Sequence, residues 1–384
     1  MSKPICRPAA GLVALIFLAA GPVRGADTPA KFLGANSCAS TGCHGGGGPG
    51  QNQFLVWSLK DFHSQRPVAT LTTARAKQIA AALDIQDATA DARCTSCHAP
   101  LREVPENLRG TNFQVSEGVS CKSCHGPAEN WLRSHTRKDY ARTDRTAAGL
   151  RDLQNFYVRA NTCVACHQVL SEPLVKAGHP ELVFELDGQS VAEPKHWSAA
   201  KNGNGAQAWL VGQAVALREM SWQLTREESP TQNEINRWAA LVWLMETAAP
   251  KHAGKSVPPT TAPEAVIRAR QIQPEIDQDA REGAGEIAKQ ELANSTRAML
   301  SLLANTSGDF RDVTISQPVQ ARRAERLVLA LDRLVAALPE LKTNEPVQAA
   351  LNQLFKFAQS VPDFDPKQFG EALQKFSVAL ASPP

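Results

Sequence analysis

The sequence predicts a mainly α-helical protein with little regular sheet, organised in two parts. Strand signals, which are short runs of β-branched and aromatic residues with alternating polarity, are almost absent from the 384 residues. Every cysteine, and every histidine except His252, precedes residue 204, whereas apolar residues at helical spacing dominate the rest of the chain. This change in composition predicts one domain over residues 26–204 and a helical domain over residues 205–384.

Residues 1–25 have the pattern of a secretory signal peptide. Lys3 and Arg7 precede an apolar run at 9–20, and small residues follow it. The run is about half of the roughly 20 residues that a membrane span needs, so we expect no transmembrane segment in the mature chain. Cys6 leaves with this leader. The three cations of the leader, Lys3, Arg7 and Arg24, also account for the formal charge of +3. The remaining chain therefore lacks the basic excess expected for nucleic-acid binding.

Helical patterns are recognisable in both parts. In the first part the predicted helices are Gln53–Gln65, Thr72–Leu83 and Leu150–Val158. In the second part they are Ala206–Arg226, Asn233–Thr247, Glu264–Ala304, Pro318–Leu338 and Pro346–Ala381. A proline-rich linker is predicted at about residues 249–263. The second domain is therefore expected to be a helical bundle or a set of helical hairpins.

Eight of the nine cysteines form four pairs, each followed directly by histidine. Three pairs have the spacing C-x-x-C-H, which is typical of covalent c-type haem attachment, and the first has four residues between its cysteines. We number these motifs first (38–44), second (94–98), third (121–125) and fourth (163–167). The predicted attachment residues are Cys38, Cys43, Cys94, Cys97, Cys121, Cys124, Cys163 and Cys166, and the predicted proximal iron ligands are His44, His98, His125 and His167.

Two cysteines of a motif can form thioether bonds to one haem, whose iron then binds the adjacent histidine. Structural zinc and redox dithiols also use C-x-x-C pairs, but neither requires histidine after the second cysteine at every copy. The sequence therefore predicts four c-type haems, in a small multihaem cytochrome c domain.

The second axial ligand of each predicted haem is expected to be histidine. Methionine occurs only at the start of the leader and in the helical part. The non-motif histidines between the first motif and residue 204 equal the predicted irons in number, and these distal candidates are His63, His135, His179 and His196. Bis-histidine haems have low potentials compared with His/Met haems, and they pass electrons without binding substrate. Which distal histidine serves which haem is left open.

Two segments resemble the cytochrome c-554 family of multihaem cytochromes. They are EGVSCKSCHGPAE at 117–129, followed by His135, and GHPELVFE at 178–185. The resemblance covers about residues 36–200. It implies a small, mostly helical domain with haems stacked closely in pairs that carries electrons in the periplasm, and it suggests the same four distal histidines. The stretched first motif and the second domain depart from the minimal family pattern.

The predicted function is electron relay between periplasmic redox proteins by outer-sphere transfer, with no catalytic acid or base. Donor and acceptor contacts are expected to be small and transient, with docking through the C-terminal helices. The alternative is an oxidoreductase that acts on a small nitrogen or sulfur species at one five-coordinate haem. A third hypothesis is a subunit whose helical domain anchors the haem domain in a larger complex.

Overall fold

A computed structural model gives the structure of most of the chain. The described residues are 29–48, 50–64, 66–168, 170–197, 205–226, 229–249, 261–285, 289–360 and 363–382. The predicted leader and most of the predicted linker, including His252, lie outside them. Within these ranges the chain forms α-helices, 3-10 turns and no strand, apart from one isolated bridge between Phe32 and Arg109. The prediction of a mainly α fold is confirmed.

Nine α-helices lie in the described residues before position 204, and most of them are short. They are α1 (Gln53–Lys60), α2 (Arg66–Thr70), α3 (Ala74–Ala82), α4 (Ala92–His98), α5 (Cys121–His125), α6 (Arg142–Ala147), α7 (Phe156–His167), α8 (Glu172–Lys176) and α9 (Leu186–Ala192). The helix predicted at 150–158 is wrong at its start, because Asn155 accepts hydrogen bonds from the backbone N–H groups of Tyr157 and Val158 and begins α7 at Phe156.

In the described ranges from residue 205 onwards there are eight α-helices, and most of them are long. They are α10 (Gly205–Arg226), α11 (Gln232–Ala248), α12 (Ala262–Gly283), α13 (Lys289–Ala304), α14 (Gln317–Ala336), α15 (Pro339–Lys342), α16 (Glu345–Ala358) and α17 (Pro366–Ala381). The helical patterns predicted at 264–304 and 346–381 each correspond to two helices. The helix predicted at 53–65 ends at Lys60, because Asp61 adopts an extended backbone.

The large apolar core lies among the C-terminal helices and extends to α7. Trp209 of α10 and Trp238 of α11 are fully buried in it, and Ala160 and Val164 of α7 join it. The helix that carries the fourth motif therefore packs against α10. The earlier part of the chain has two small apolar clusters, of which one contains Leu33, Ala128 and Trp131.

None of the helices in the described ranges is long and apolar enough to span a membrane.

Candidate functional site

Local helix geometry gathers the residues of the second, third and fourth motifs. Each of these motifs lies at the end of a helix, α4, α5 or α7, and the motif histidine is the last helical residue. Residues three and four apart share one face of an α-helix, so the two cysteines and the histidine of each motif point the same way. Asp91 and Asn155 cap the N-termini of α4 and α7 through their side chains.

The first motif reaches a similar compactness through turns. The 3-10 helix Ala35–Cys38 ends at the first cysteine, and the N–H of His44 then donates to the carbonyl of Cys38 at 3.2 Å. A Cβ atom on Gly45 would lie 1.9 Å from the carbonyl oxygen of Ala39, so this turn requires glycine. The two additional residues are thereby folded into the turn, and His44 lies beside Cys38.

Three motif histidines each lie close to a non-motif histidine. The ring-centroid distances are 6.1 Å for His44 and His135, 6.1 Å for His63 and His167, and 6.3 Å for His98 and His179. The remaining motif histidine, His125 of the third motif, interacts electrostatically with His196. The structure therefore brings three motif histidines together with three different distal candidates, a pairing that the sequence left open, and leaves His196 as the candidate for His125.

These distances fit two imidazoles on opposite sides of one iron. A bond from a metal to an imidazole nitrogen is about 2.0–2.1 Å long. Two such bonds separate the ligating nitrogens by about 4 Å, and each ring centre lies about 1 Å farther out, which gives about 6 Å between centroids. The assignment of these histidines as ligands remains a prediction, and the geometry agrees with it.

Hydrogen bonds set the tautomer of six of the eight histidines that are candidate iron ligands. In each, Nδ1–H donates to an acceptor, which leaves the lone pair on Nε2 for a metal. The acceptors are Gln53 Oε1 for His44 (2.9 Å), Asp61 Oδ1 for His63 (3.0 Å), and the carbonyls of Pro67 for His98 (3.0 Å), Trp131 for His135 (3.1 Å), Pro180 for His179 (2.9 Å) and Pro194 for His196 (3.3 Å).

Burial keeps the imidazole of His125 in its neutral form. Desolvation, with a further contribution from the charge of His196, lowers the pKa of His125 to about 4. Its imidazole is therefore neutral near pH 7, which is the form that binds metals.

The motif cysteines show which sites are neighbours. The thiol of Cys38 hydrogen-bonds to that of Cys121, which joins the first motif to the third. The thiols of Cys97 and Cys166 join the second motif to the fourth in the same way. Cys124 interacts electrostatically with Cys163 and links the third motif to the fourth. The sites are thus arranged in the order first, third, fourth, second. All eight motif cysteines are free of disulfide bonds.

Two charged residues near the motifs were not singled out from the sequence. Lys122, inside the third motif, is fully buried and donates from Nζ to Cys38 Sγ at 2.9 Å. Asp61 is buried beside His63 and accepts from both its backbone N–H (2.8 Å) and its Nδ1–H. Burial opposes ionisation of Asp61, but the hydrogen bonds from His63 hold the pKa of this carboxyl below its usual value. In the sequence, Asp61 could have been found from its position two residues before the candidate ligand His63.

Asp61, Glu193 and His196 form the cluster of potential metal-binding side chains found among the described residues. Their ligand atoms all lie within 4.8 Å of one another. His196 is a candidate iron ligand, and Asp61 accepts a hydrogen bond from another candidate ligand, His63. We therefore interpret the carboxylates of Asp61 and Glu193 as part of the surroundings of these two histidines.

The segment that follows His179 is held by the C-terminal helices. Arg237 of α11 donates to the carbonyl of Leu182 at 2.7 Å, and Arg322 of α14 forms an ion pair with Glu181 at 2.8 Å. On the other side, Arg75 of α3 donates to the carbonyl of Gly178 at 2.6 Å from Nη2. His179 is therefore positioned from both parts of the chain.

Comparison with known proteins gives one family match. Residues 37–126 match the family described as cytochrome c554 and c-prime. The matched segment contains the first three motifs and ends directly after the third. Neither the curated proteins nor the solved structures contain a match to the chain. The family match supports a c-type cytochrome, with covalently bound haem and a role in electron transfer.

Proposed function

We propose that this chain is a periplasmic tetrahaem c-type cytochrome that relays electrons between redox partner proteins. The observation that carries the proposal is the pairing of the motif histidines with non-motif histidines. Three pairs have centroid distances of 6.1–6.3 Å, and His125 interacts with His196. These four pairs offer two axial imidazoles to each of four irons.

The residues have separate roles in this proposal. The motif cysteines would hold each haem by thioether bonds, and the paired histidines would bind its iron. Bound haem supplies a one-electron couple between ferric and ferrous iron. The chain supplies ligands of fixed tautomer, because most Nδ1 atoms are engaged as donors. Because each iron would have two histidine ligands, it would have no position left for a substrate, which favours a carrier over an oxidoreductase.

The order of the sites supports a relay. Because thiols of neighbouring motifs lie in contact or interact electrostatically, haems attached to them would be close enough for direct transfer between neighbours. The first and second motifs are the two ends of this series. We therefore propose that donor and acceptor proteins meet the chain near these ends, with the C-terminal helices contributing to docking. The leader pattern and haem attachment outside the cytoplasm support a periplasmic location.

Haem counting and electron paramagnetic resonance test this function. The pyridine haemochrome assay on the purified holoprotein should give four haems per chain. The oxidised protein should show low-spin signals that added cyanide or nitric oxide leaves unchanged. Fewer than four haems would contradict the tetrahaem proposal, and a high-spin signal that disappears on cyanide addition would favour the oxidoreductase.

Substitution of a distal histidine gives a matched comparison. His135→Met should raise the potential of one haem, because methionine stabilises ferrous iron relative to histidine. His252→Ala serves as the control, because His252 is the one histidine not assigned to a haem. Equal redox titrations of the two variants would contradict the assignment of His135.

A further inference from the structure

One candidate iron ligand has a negatively charged hydrogen-bond partner. Of the six histidines that donate from Nδ1, five donate to neutral acceptors, which are the Gln53 amide and four backbone carbonyls. His63 instead donates to the carboxylate of Asp61 at 3.0 Å. The Asp61 side chain is only 3% exposed. The carboxylate end of this hydrogen bond is therefore shielded from water, whereas the His63 side chain is 36% exposed.

A carboxylate at this position changes the ligand strength of the imidazole. It draws the Nδ1 proton towards itself, so electron density at Nε2 increases and the ring becomes a stronger donor to a metal. The higher charge of ferric iron is stabilised more than that of ferrous iron. A fixed negative charge in a medium of low dielectric constant acts in the same direction. Both effects make the iron harder to reduce.

The surroundings add to the negative charge. Glu193 interacts electrostatically with Asp61 and with His63. The opposing cation is Arg159, which is half-buried and interacts with Glu193. By contrast, the first site has Lys122 buried against Cys38. The site of His63 therefore has a buried carboxylate beside a candidate ligand, whereas the first site has a buried cation beside a motif cysteine.

We infer that Asp61 is a positioning residue that fixes the tautomer of His63 and makes the haem held by His63 and His167 the hardest of the four to reduce. This inference rests on the proposed function, because it assumes four bis-histidine haems. It places the lowest potential at the fourth motif, between the third and second sites. An electron then crosses an energetic step inside the series rather than at its ends.

A purely structural role for Asp61 can be separated from this one. Its Oδ1 also accepts from the backbone N–H of His63 at 2.8 Å and so stabilises the turn after α1. Asn has the same shape and an Oδ1 atom that can accept both hydrogen bonds. Asp61→Asn therefore removes the charge and leaves the turn in place.

The test is a redox titration of the full-length holoprotein followed by electron paramagnetic resonance. His63→Met identifies the signal of the haem in question. In the wild-type protein that signal should be the last to be lost on reduction. In Asp61→Asn the same haem should become at least tenfold easier to reduce, which is 59 mV for one electron, while the potentials of the first and second sites stay unchanged. The haem assigned to His196, whose ligand atom lies within 4.8 Å of that of Asp61, should shift in the same direction but less, because His196 donates to the Pro194 carbonyl and not to Asp61. Gln53→Glu, which adds a carboxylate beside His44, should shift the first-site haem in the opposite direction.

Two results would overturn the inference. One is a wild-type titration in which the His63 haem is not the last to be reduced, a measurement that needs no Asp61 variant. The other is Asp61→Asn with four haems and four unchanged potentials. If the wild-type protein itself carries fewer than four haems or shows a cyanide-sensitive high-spin signal, the proposed function has failed instead. The haem count and the ligand-binding spectrum therefore distinguish the two failures.

Discussion

The imidazole rings of His44 and His135 lie nearly parallel, at 20° to each other, with their centroids 6.1 Å apart. The rings of His63 and His167 lie at 84°, and the ring pair that contains His98 lies at 71°. Ring orientation would matter in a bis-histidine haem, because each imidazole would interact with the iron d orbital perpendicular to its plane. Parallel rings act on the same orbital and split the pair of d orbitals, whereas perpendicular rings act on both and leave them nearly equal in energy.

This difference predicts two kinds of low-spin spectrum. The haem bound by His44 and His135 should give a rhombic signal, and the two haems with perpendicular rings should give strongly anisotropic signals. Low-temperature electron paramagnetic resonance of the oxidised protein measures both. His135→Met should remove the rhombic signal and leave the anisotropic ones. Loss of an anisotropic signal in that variant would contradict the geometry of this pair.

The turn of the stretched first motif predicts a haem-loading defect. In Gly45→Ala the added Cβ would meet the Ala39 carbonyl oxygen at 1.9 Å, so the backbone has to move and His44 is displaced. We expect three haems per chain instead of four, counted by the haemochrome assay and by intact mass. Gly47→Ala is the control, because a Cβ there meets nothing within 4 Å. Full loading of both variants would show that the turn tolerates a side chain.

The ion pair between Arg322 and Glu181 predicts that a C-terminal helix supports a distal ligand. Arg322→Ala removes a half-buried, charge-assisted contact two residues from His179, a type of contact that contributes about 1–3 kcal/mol. His179 should then dissociate more often from its iron, so that cyanide binds one haem of the variant. Arg297→Ala is the control, because Arg297 forms a more exposed pair with Glu340. Equal cyanide resistance of both variants would exclude this support.

Glu185 predicts a pH dependence of stability. Burial raises the pKa of this carboxyl to about 7, although Arg326, the hydrogen bond from Gln213 and Arg333 oppose the rise, and nearby Asp187 adds to it. The folded protein therefore binds a proton that the unfolded chain, with a pKa of 4.5, has already lost. Proton binding by Glu185 therefore stabilises the folded protein. This contribution is fully present below pH 4.5 and is lost as the pH rises to about 7. The loss is roughly 3 kcal/mol.

Glu185→Gln should remove this loss. The free energy of unfolding, measured by guanidinium denaturation followed by circular dichroism, should fall less between pH 5 and pH 8 in the variant than in the wild-type protein. Glu340→Gln, at a more exposed position, is the control and should keep the wild-type slope. The comparison uses the slope because loss of a partner for Arg326 changes stability at every pH. A wild-type slope in Glu185→Gln would contradict the prediction.

Local features of the fold could be predicted from the sequence, and long-range features could not. The helix predicted at Ala206–Arg226 is observed at Gly205–Arg226, because a long amphipathic pattern determines its own secondary structure. The prediction at 150–158 was wrong at its start because Leu150 is apolar for a tertiary reason. It packs against the cluster that contains Trp131. Local periodicity cannot separate such packing from a helical face.

The same division applies to the candidate site. The motif cysteines and histidines follow from spacing alone. The pairing of His98 with His179, or of His125 with His196, depends on how distant segments pack, and no local pattern encodes it. Asp61 was missed for a related reason, since an aspartate near a histidine is informative only when the fold buries its carboxylate against the ring, as it does here.

The histidine pairing also has a consequence for maturation of the chain. Each candidate pair joins residues that are far apart in sequence, so no site acquires its second ligand by local folding. A polypeptide that ended just after His167 would contain all four attachment motifs. It would hold only two of the candidate ligand pairs, those of His44 with His135 and of His63 with His167. In the proposed tetrahaem protein, complete attachment and complete ligation would therefore be separate stages, and the second would require the segment that reaches His196.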